Sequence, residues 1–299
     1  EPLMEELGTY DLGVHEAATL ALVAIGEPAI KRLIQRLGDE DSQVREATAA
    51  ALGQFQDRRA VKPLIQWLGD GHWKVREAVV SALGQLQDRH AVNPLIHRLD
   101  DAHWQVRQAV ASALGQLQDR RAVKPLIQRL GDEHEKVRQA VVSALGQLQD
   151  RRAVTPLIQG LKDEDSQVRS AAASALGQLQ DPRAISPLIQ QLGDEHEKVR
   201  EAAALALKEL GEPLGELVVK ALQNNEEARN TLAEKNDLRT ITPLIQLLEN
   251  GWNKEVYQAA IESLVAIGEL AVDPFIQRLA DEEWRMRQVA AQSLGQIQN

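Results

Sequence analysis

One 31-residue unit recurs along this chain of 299 residues, and this period constrains the fold more than any other feature. Two short segments, Ala-Leu-Gly-Gln and Pro-Leu-Ile, each return at that interval, so each unit contains two elements. A single compact core would be near its upper size at this length, but stacked repeats grow in one dimension and avoid that limit. The Ala-Leu-Gly-Gln segments begin at Ala51, Ala82, Ala113, Ala144 and Ala175.

Residues 57–87 represent the unit. Asp57 is a suitable N-cap for a first helix, helix A, of about 11 residues, which ends at Gly69-Asp70-Gly71. A second apolar stripe of helical spacing runs from Val75 to Leu86 and predicts helix B. The unit is therefore predicted to be a helical hairpin.

Two residues inside these helices disturb regular helix formation. Pro63 lies too deep in helix A for a first-turn proline and is expected to bend the helix. Gly84 lies inside helix B, where glycine costs roughly 1 kcal/mol relative to alanine. Its recurrence at Gly53, Gly115, Gly146 and Gly177 implies that neighbouring helices approach too closely for a side chain.

A lone hairpin of this size cannot bury its apolar face, whereas stacked hairpins can. The sequence thus predicts an all-α fold, a right-handed α-solenoid of about ten hairpins with the B helices on the inner, concave side. Residues 1–211 form regular repeats, residues 212–236 an irregular repeat about five residues short, and residues 237–299 further repeats of one continuous solenoid. A kink is expected at the irregular repeat.

Charge and composition restrict the classes of partner. The chain has 34 Lys and Arg against 44 Asp and Glu, a formal net charge of -10, which disfavours nucleic acid and anionic membranes. It has no cysteine, so no disulfide, thiolate zinc site or cysteine nucleophile can form. No apolar run approaches the ~18 residues of a membrane span. A cytoplasmic location is expected.

An Asp in the turn between helices A and B is followed six residues later by the Arg of a Val-Arg pair, and with this motif the chain resembles the HEAT repeats of the phycobilisome-lyase type over nearly its whole length. The resemblance implies that these residues form a hydrogen-bonded ladder between adjacent repeats, a structural role. It also implies binding functions, which range from bilin-lyase subunits to sensor arrays attached to signalling NTPases. The pairs are Asp39 with Arg45, Asp70 with Arg76, Asp101 with Arg107, Asp132 with Arg138, Asp163 with Arg169, and Asp194 with Arg200, and Asp281 with Arg287 repeats the spacing.

Metal and catalytic sites are not predicted. Histidines at one repeat position, in consecutive units, would lie about 8 to 10 Å apart, too far to share one ion. The di-iron enzyme deoxyhypusine hydroxylase is a HEAT-like alternative, but only His15-Glu16 of the three His-Glu pairs lies at the helical position its pattern requires. Acidic turns such as Asp39-Glu40-Asp41 lack the ligand sequence of a calcium loop. No cofactor is expected.

The variable turn before helix B is the first candidate binding surface. Tryptophan and histidine replace the usual capping residues there, and exposed aromatic side chains often anchor interfaces. Covering the end of its own repeat is the alternative role for each Trp. The candidate residues are Trp67, His72, Trp73, His103, Trp104, Trp252 and Trp284.

The B-helix face is the second candidate surface. Rows of small polar side chains follow the ladder arginines, and they suit an extended peptide or protein surface better than a deep pocket. Solubility alone is the alternative explanation. The candidate residues are Glu77, Gln108 and Gln139, with rows of Ser and Gln beside them.

The chain opens in mid-helix and closes on an ordinary helix B, so we expect a domain excised from a longer protein that carries an effector or NTPase domain. The predicted function is a non-catalytic scaffold or recognition domain that binds a protein partner through the concave face and the Trp-rich edge. A bilin lyase or isomerase, or a phycobilisome-associated subunit, is the alternative that the resemblance implies.

Overall fold

The chain forms two compact units, Glu1–Ala153 and Val154–Asn299. This computed structural model describes residues 27–212, 214–223, 225–235, 237–250 and 254–297. The boundary between the units falls inside the run of regular repeats that the sequence predicts for residues 1–211. Within the described residues the fold is an all-α solenoid of stacked helical hairpins.

The first unit contains four described hairpins. Its helices alternate between a short helix A and a longer helix B, and each B helix packs against the B helix of the next hairpin. The A helices are α1 (Glu27–Arg36), α3 (Val61–Gln66), α5 (Val92–Ile96) and α7 (Val123–Gln128), and the B helices are α2 (Ser42–Gln54), α4 (Trp73–Leu86), α6 (Trp104–Gln116) and α8 (Glu135–Gln147).

The second unit contains five described hairpins. Its A helices are α9 (Val154–Gly160), α11 (Ile185–Gln191), α13 (Leu214–Leu222), α15 (Ile241–Asn250) and α17 (Val272–Arg278), and its B helices are α10 (Ser166–Leu179), α12 (Glu197–Glu209), α14 (Glu226–Lys235), α16 (Lys254–Ile267) and α18 (Trp284–Ile297).

Helix A is not one continuous α-helix. In the type unit it starts as a 3₁₀ turn at Arg58–Ala60, continues as α3 and ends as a second 3₁₀ turn at Trp67–Gly69. Pro63 is the third residue of α3, so the expectation that it lies beyond the first turn of its helix is wrong. An N–H at the third position of an α-helix has no partner within that helix, so Pro63 costs no α-helical hydrogen bond there.

Aspartates at the repeat junction cap the 3₁₀ turns, as the sequence predicts for Asp57. The Asp57 carboxylate accepts a hydrogen bond from the backbone N–H of Arg59 at 2.8 Å. The preceding residue, Gln56, is left-handed with φ 52°, and glutamine recurs there in the regular repeats. Gly211 and Gly268 occupy the same position in divergent repeats, where φ is 78° and 73°.

The recurring glycines of helix B mark close contacts between consecutive B helices. A Cβ on Gly84 would lie 3.1 Å from the Ala113 Cα and 2.7 Å from the Gln116 Oε1. Gly53, Gly115 and Gly177 meet the next B helix in the same way. The expectation of a close helix approach is confirmed, and the helix B glutamines lie over the glycines of the preceding repeat.

The irregular repeat interrupts the stacking of B helices in the second unit. Helix α12 packs against α13, and α14 packs against α16. Helix α14 has ten residues, whereas the regular B helices have 13 or 14. On the other layer α11 contacts α15 directly, since a Cβ on Gly193 would lie 2.6 Å from the Pro243 carbonyl oxygen.

Candidate functional site

The Asp and Arg residues of the turns join consecutive repeats. Arg45 donates from Nε to the Asp70 Oδ2 at 2.7 Å and from Nη2 to the Asp70 Oδ1 at 3.0 Å. Its Nη1 donates to the backbone oxygens of Asp39 and Glu40 at 2.8 and 2.9 Å. The six-residue spacing thus brings each Arg to the backbone of its own turn, while the carboxylate comes from the next repeat, 25 residues on.

This two-sided bonding recurs, and we call it the ladder. The Asp of each rung also accepts from its own turn, as when Asp70 Oδ1 accepts from the His72 N–H at 2.8 Å. Hydrogen bonding to Asp70 raises the pKa of Arg45. The further rungs within the units are Arg76 to Asp101, Arg107 to Asp132 and Arg169 to Asp194.

Three ladder residues make other contacts. Arg138 donates to the backbone oxygens of Asp132 and Glu133, and Asp163 accepts from the Asp165 N–H at 2.9 Å. Arg200 makes the same backbone contacts as the other arginines, but no carboxylate of a following repeat binds it among the described residues. Among the described residues Arg200 therefore makes only the backbone half of a rung, and residue 225, at the position of the next aspartate, is Asn.

The tryptophans of the turn are half-buried against the neighbouring repeat. Trp73 stacks on His103 with ring centroids 5.5 Å apart, and Trp104 stacks on His134 at 3.9 Å. Trp73 and Trp104 thus contact the next repeat. Trp67 lies against Gly38 and under the Arg45 guanidinium, 5.9 Å from its ring centroid.

The remaining aromatic candidates differ from these. Trp284 is 61% exposed, and its ring lies 5.7 Å from the Arg285 guanidinium carbon. Trp252 lies outside the described residues. Among the described residues, the predicted aromatic surface therefore consists of Trp67, Trp73 and Trp104, which contact neighbouring repeats in the first unit, and of the exposed Trp284 in the last hairpin.

Histidine replaces the usual cap at the start of several B helices. His72 and His103 make no side-chain capping bond. His134 does cap its helix, because its Nδ1 accepts from the Lys136 N–H at 3.2 Å. Where Asp stands instead, it caps well: Asp165 accepts from the N–H groups of Gln167 and Val168.

A polar groove lies between α4 and α6 on the B-helix face. Its volume is about 330 Å³, and it brings the predicted residues Glu77 and Gln108 together. Gln139 lies on α8 at the equivalent position, outside this lining. The other polar lining residues are Ser81, Gln85, Gln105, Ser112 and Gln116.

Two groups make this groove chemically distinct. The Gln105 Oε1 is buried and has no hydrogen-bond partner, so it is an acceptor that lacks a donor. Burial, and then the charge of Glu46, raises the pKa of the Glu77 carboxyl. Sequence reasoning missed Gln105, since its type alternates with Lys at this repeat position and carries no motif.

The last hairpin exposes apolar side chains that sequence reasoning did not select. Ile276 of α17 and Leu279, the residue after α17, are exposed, whereas Leu68, at the position of Leu279 in the type unit, is buried. The helical spacing of these two residues would by itself place both side chains in the apolar core. Exposure here depends on which neighbour is packed against the hairpin.

The described residues contain no cluster of three or more His, Cys, Asp or Glu side chains that could hold a metal ion. The pair His134 and Glu135 is 3.3 Å apart, Nδ1 to Oε2, and His15-Glu16 lies outside the described residues. In the same described part of the chain, no helix is both long and apolar enough to cross a lipid bilayer.

The model of the family described as HEAT repeats matches residues 30–103, 92–161, 154–235 and 241–299. The chain belongs to the HEAT-repeat family. These matches cover most of the chain and include the ladder turns and the groove. No curated protein matches the sequence.

Two solved structures are similar to this chain over most of its length. The chain is similar to the complex of CpcE and CpcF of phycocyanin lyase from Nostoc sp. PCC7120, with 26% identity over 78% of this chain and 93% of that chain and a TM-score of 0.49. It is also similar to YibA of Escherichia coli, with 19% identity over 95% of this chain and 96% of that chain and a TM-score of 0.53. The latter likeness supports the fold.

Proposed function

We propose that this HEAT-repeat scaffold binds a protein partner through the groove between α4 and α6. The polar lining of the groove carries the proposal, because exposed Ser and Gln side chains and the Glu77 carboxyl of two consecutive B helices offer acceptors to arriving N–H groups. An extended peptide segment presents such N–H groups at regular intervals.

The character of the groove supports a polypeptide partner over a small molecule. Small-molecule pockets are mostly apolar with few polar groups, whereas this groove is lined by amides, hydroxyls and the Glu77 carboxyl. A carboxyl here favours a donor-rich or basic segment. The Trp edge remains a second predicted surface, in which Trp73 and Trp104 already contact the neighbouring repeat.

Filling the groove tests the proposal. Ser112 is exposed and lines the groove, so Ser112→Tyr places a ring in it, while Gln128→Tyr adds the same ring to an exposed position on α7. The wild type and both variants, matched in thermal stability by circular dichroism, serve as baits for proteins of the source cell. A partner purified after capture is then measured by calorimetry.

We expect Ser112→Tyr to weaken binding of that partner at least about tenfold and Gln128→Tyr to leave it unchanged. Equal binding of every captured protein to the two variants would contradict a groove interface. The alternative that the resemblance implies, a bilin lyase or isomerase subunit, stays a prediction. Incubation with bilin and an apo-phycobiliprotein, followed by absorbance of the transferred chromophore, tests it.

A further inference from the structure

Arg200 ends the ladder of the second unit without a carboxylate. Its side chain is only 7% exposed, and Nη1 donates to the backbone oxygens of Asp194 and Glu195 at 2.8 and 2.9 Å. In the complete rungs, Nε and Nη2 bind the Asp 25 residues further on. In Arg200, Nε and Nη2 have no hydrogen-bond partner among the described residues. Position 225, where the aspartate would stand, is Asn.

The irregular repeat explains this gap. Helix α12, which carries Arg200, packs against α13, whereas a regular B helix packs against the next B helix. Asn225 is exposed, and its Oδ1 accepts from the Ala228 N–H at 2.8 Å to cap α14. It therefore does not replace the missing aspartate.

The guanidinium of Arg200 is held in place. The backbone contacts of Nη1 orient the planar guanidinium as in the complete rungs. Burial lowers the pKa of Arg200, whereas bonding to Asp raises the pKa of Arg45 and Arg76. A desolvated guanidinium of this kind favours an anionic partner.

The surroundings select the type of anion. Glu197, Asp194 and Glu201 act on Arg200 electrostatically, so the local potential opposes a doubly charged ion more than a singly charged one. Two parallel donors match the two oxygens of a planar carboxylate. The Arg169 rung shows that geometry one repeat earlier, with 2.7 and 3.1 Å to Asp194.

We propose that Nε and Nη2 of Arg200 form a binding site for one carboxylate group, supplied by a small carboxylate ion or by an acidic residue of another protein. The site is separate from the groove between α4 and α6 and does not depend on the proposed function. It would complete the rung that the irregular repeat leaves open.

Nitrogen-15 spectra of the arginine Nε–Hε groups of the full chain test the site. The Arg200 signal is assigned by its absence from Arg200→Lys, and sodium acetate is titrated against sodium chloride at constant ionic strength. We expect a saturable shift of the Arg200 signal with acetate, and a weaker one with phosphate. The Arg169 signal is the matched control in the same spectrum, because its Nε is already bound to Asp194.

Two further titrations identify the source of the carboxylate. A short blocked peptide that contains Asp, compared with its Asn counterpart, is expected to bind more tightly than acetate if the ligand comes from a protein. Equal affinity of the Asp peptide and acetate identifies a small carboxylate. The site is overturned if the Arg200 signal shifts equally in acetate and chloride and does not shift with either peptide. If Arg200→Lys unfolds, the Arg200 signal is assigned from triple-resonance spectra of the wild type, so the test does not depend on that variant.

Discussion

The indole of Trp104 stacks on the imidazole of His134 in the next repeat, with ring centroids 3.9 Å apart and an angle of 18° between the planes. Trp73 and His103 repeat the arrangement at 5.5 Å. The turn that varies most between repeats therefore also contributes to their stacking. Substitutions there should be judged for stability before any effect on binding is assigned.

Trp104→Ala is expected to lower the free energy of unfolding by roughly 1 to 3 kcal/mol, because it removes a half-buried ring and its stacked partner. Chemical denaturation followed by circular dichroism measures the loss. Trp284→Ala is the control, since its ring is 61% exposed and should change stability by less than about 0.5 kcal/mol. Equal losses in the two variants would show that the stacking does not stabilise the fold.

Asp132→Ala is expected to destabilise the chain by roughly 3 kcal/mol, because it leaves Arg107 buried without its bidentate partner. The side chains of Arg107 and Asp132 are 8% and 4% exposed. Glu133→Ala removes a second carboxylate 3.2 Å from the same arginine, but that side chain is 86% exposed, so a change below about 1 kcal/mol is expected. The urea midpoints of the two variants should separate, and coincident midpoints would refute the role of burial.

Gly84→Ala is expected to destabilise the chain by roughly 1 to 3 kcal/mol, because the new methyl group meets the Ala113 backbone in the tightly packed B-helix layer. Gly131→Ala is the control, since a Cβ at that position would have no neighbouring atom within 4 Å and its backbone is not left-handed. That variant should be neutral or slightly more stable. Differential scanning calorimetry distinguishes the two, and a Gly84 variant with the wild-type Tm would rule out the close contact.

Acid should weaken the junctions between repeats. Arg121 donates to Asp119 at 3.0 and 2.8 Å and lowers the pKa of that carboxyl to about 2, and Arg152 does the same for Asp150. Because each pKa is lower in the folded chain than in the unfolded one, the stabilisation is complete above about pH 4 and is lost as the pH falls towards 2.

Thermal unfolding between pH 7 and pH 2 measures this loss. In Arg121→Gln the Asp119 carboxyl loses its main charged partner, so the variant should be less stable at neutral pH and show a smaller further loss in acid. An identical pH profile for the variant and the wild type would exclude Asp119 from the transition.

Local spacing was sufficient to predict the helical hairpins and their period. Asp57 as a cap and Gly84 as a contact point follow from the residue type and from recurrence every 31 residues. The role of Pro63 was not predictable in the same way, because the start of the α-helix at Val61 depends on a 3₁₀ turn with no sequence signal of its own.

The candidate surfaces were only partly predictable. Glu77 and Gln108 were selected from their repeat position, and the structure brings them into one groove. Gln105 was not selected, because the lack of a partner for its Oε1 depends on what surrounds it in space. The contacts of Trp73 and Trp104 with the next repeat also required side-chain positions.

The sequence by itself determined the repeat, the family and the identity of the residues in each turn, since these depend on order along one chain. Only the tertiary structure decided that Arg45 binds the carboxylate of Asp70 and the backbone of Asp39, and that Arg200 lacks such a carboxylate among the described residues. The reason is physical: a hydrogen bond requires atoms within about 3 Å. Whether the next aspartate lies that close to the arginine depends on how the following helix packs. Helix α12 packs against α13 and not against the next B helix, α14.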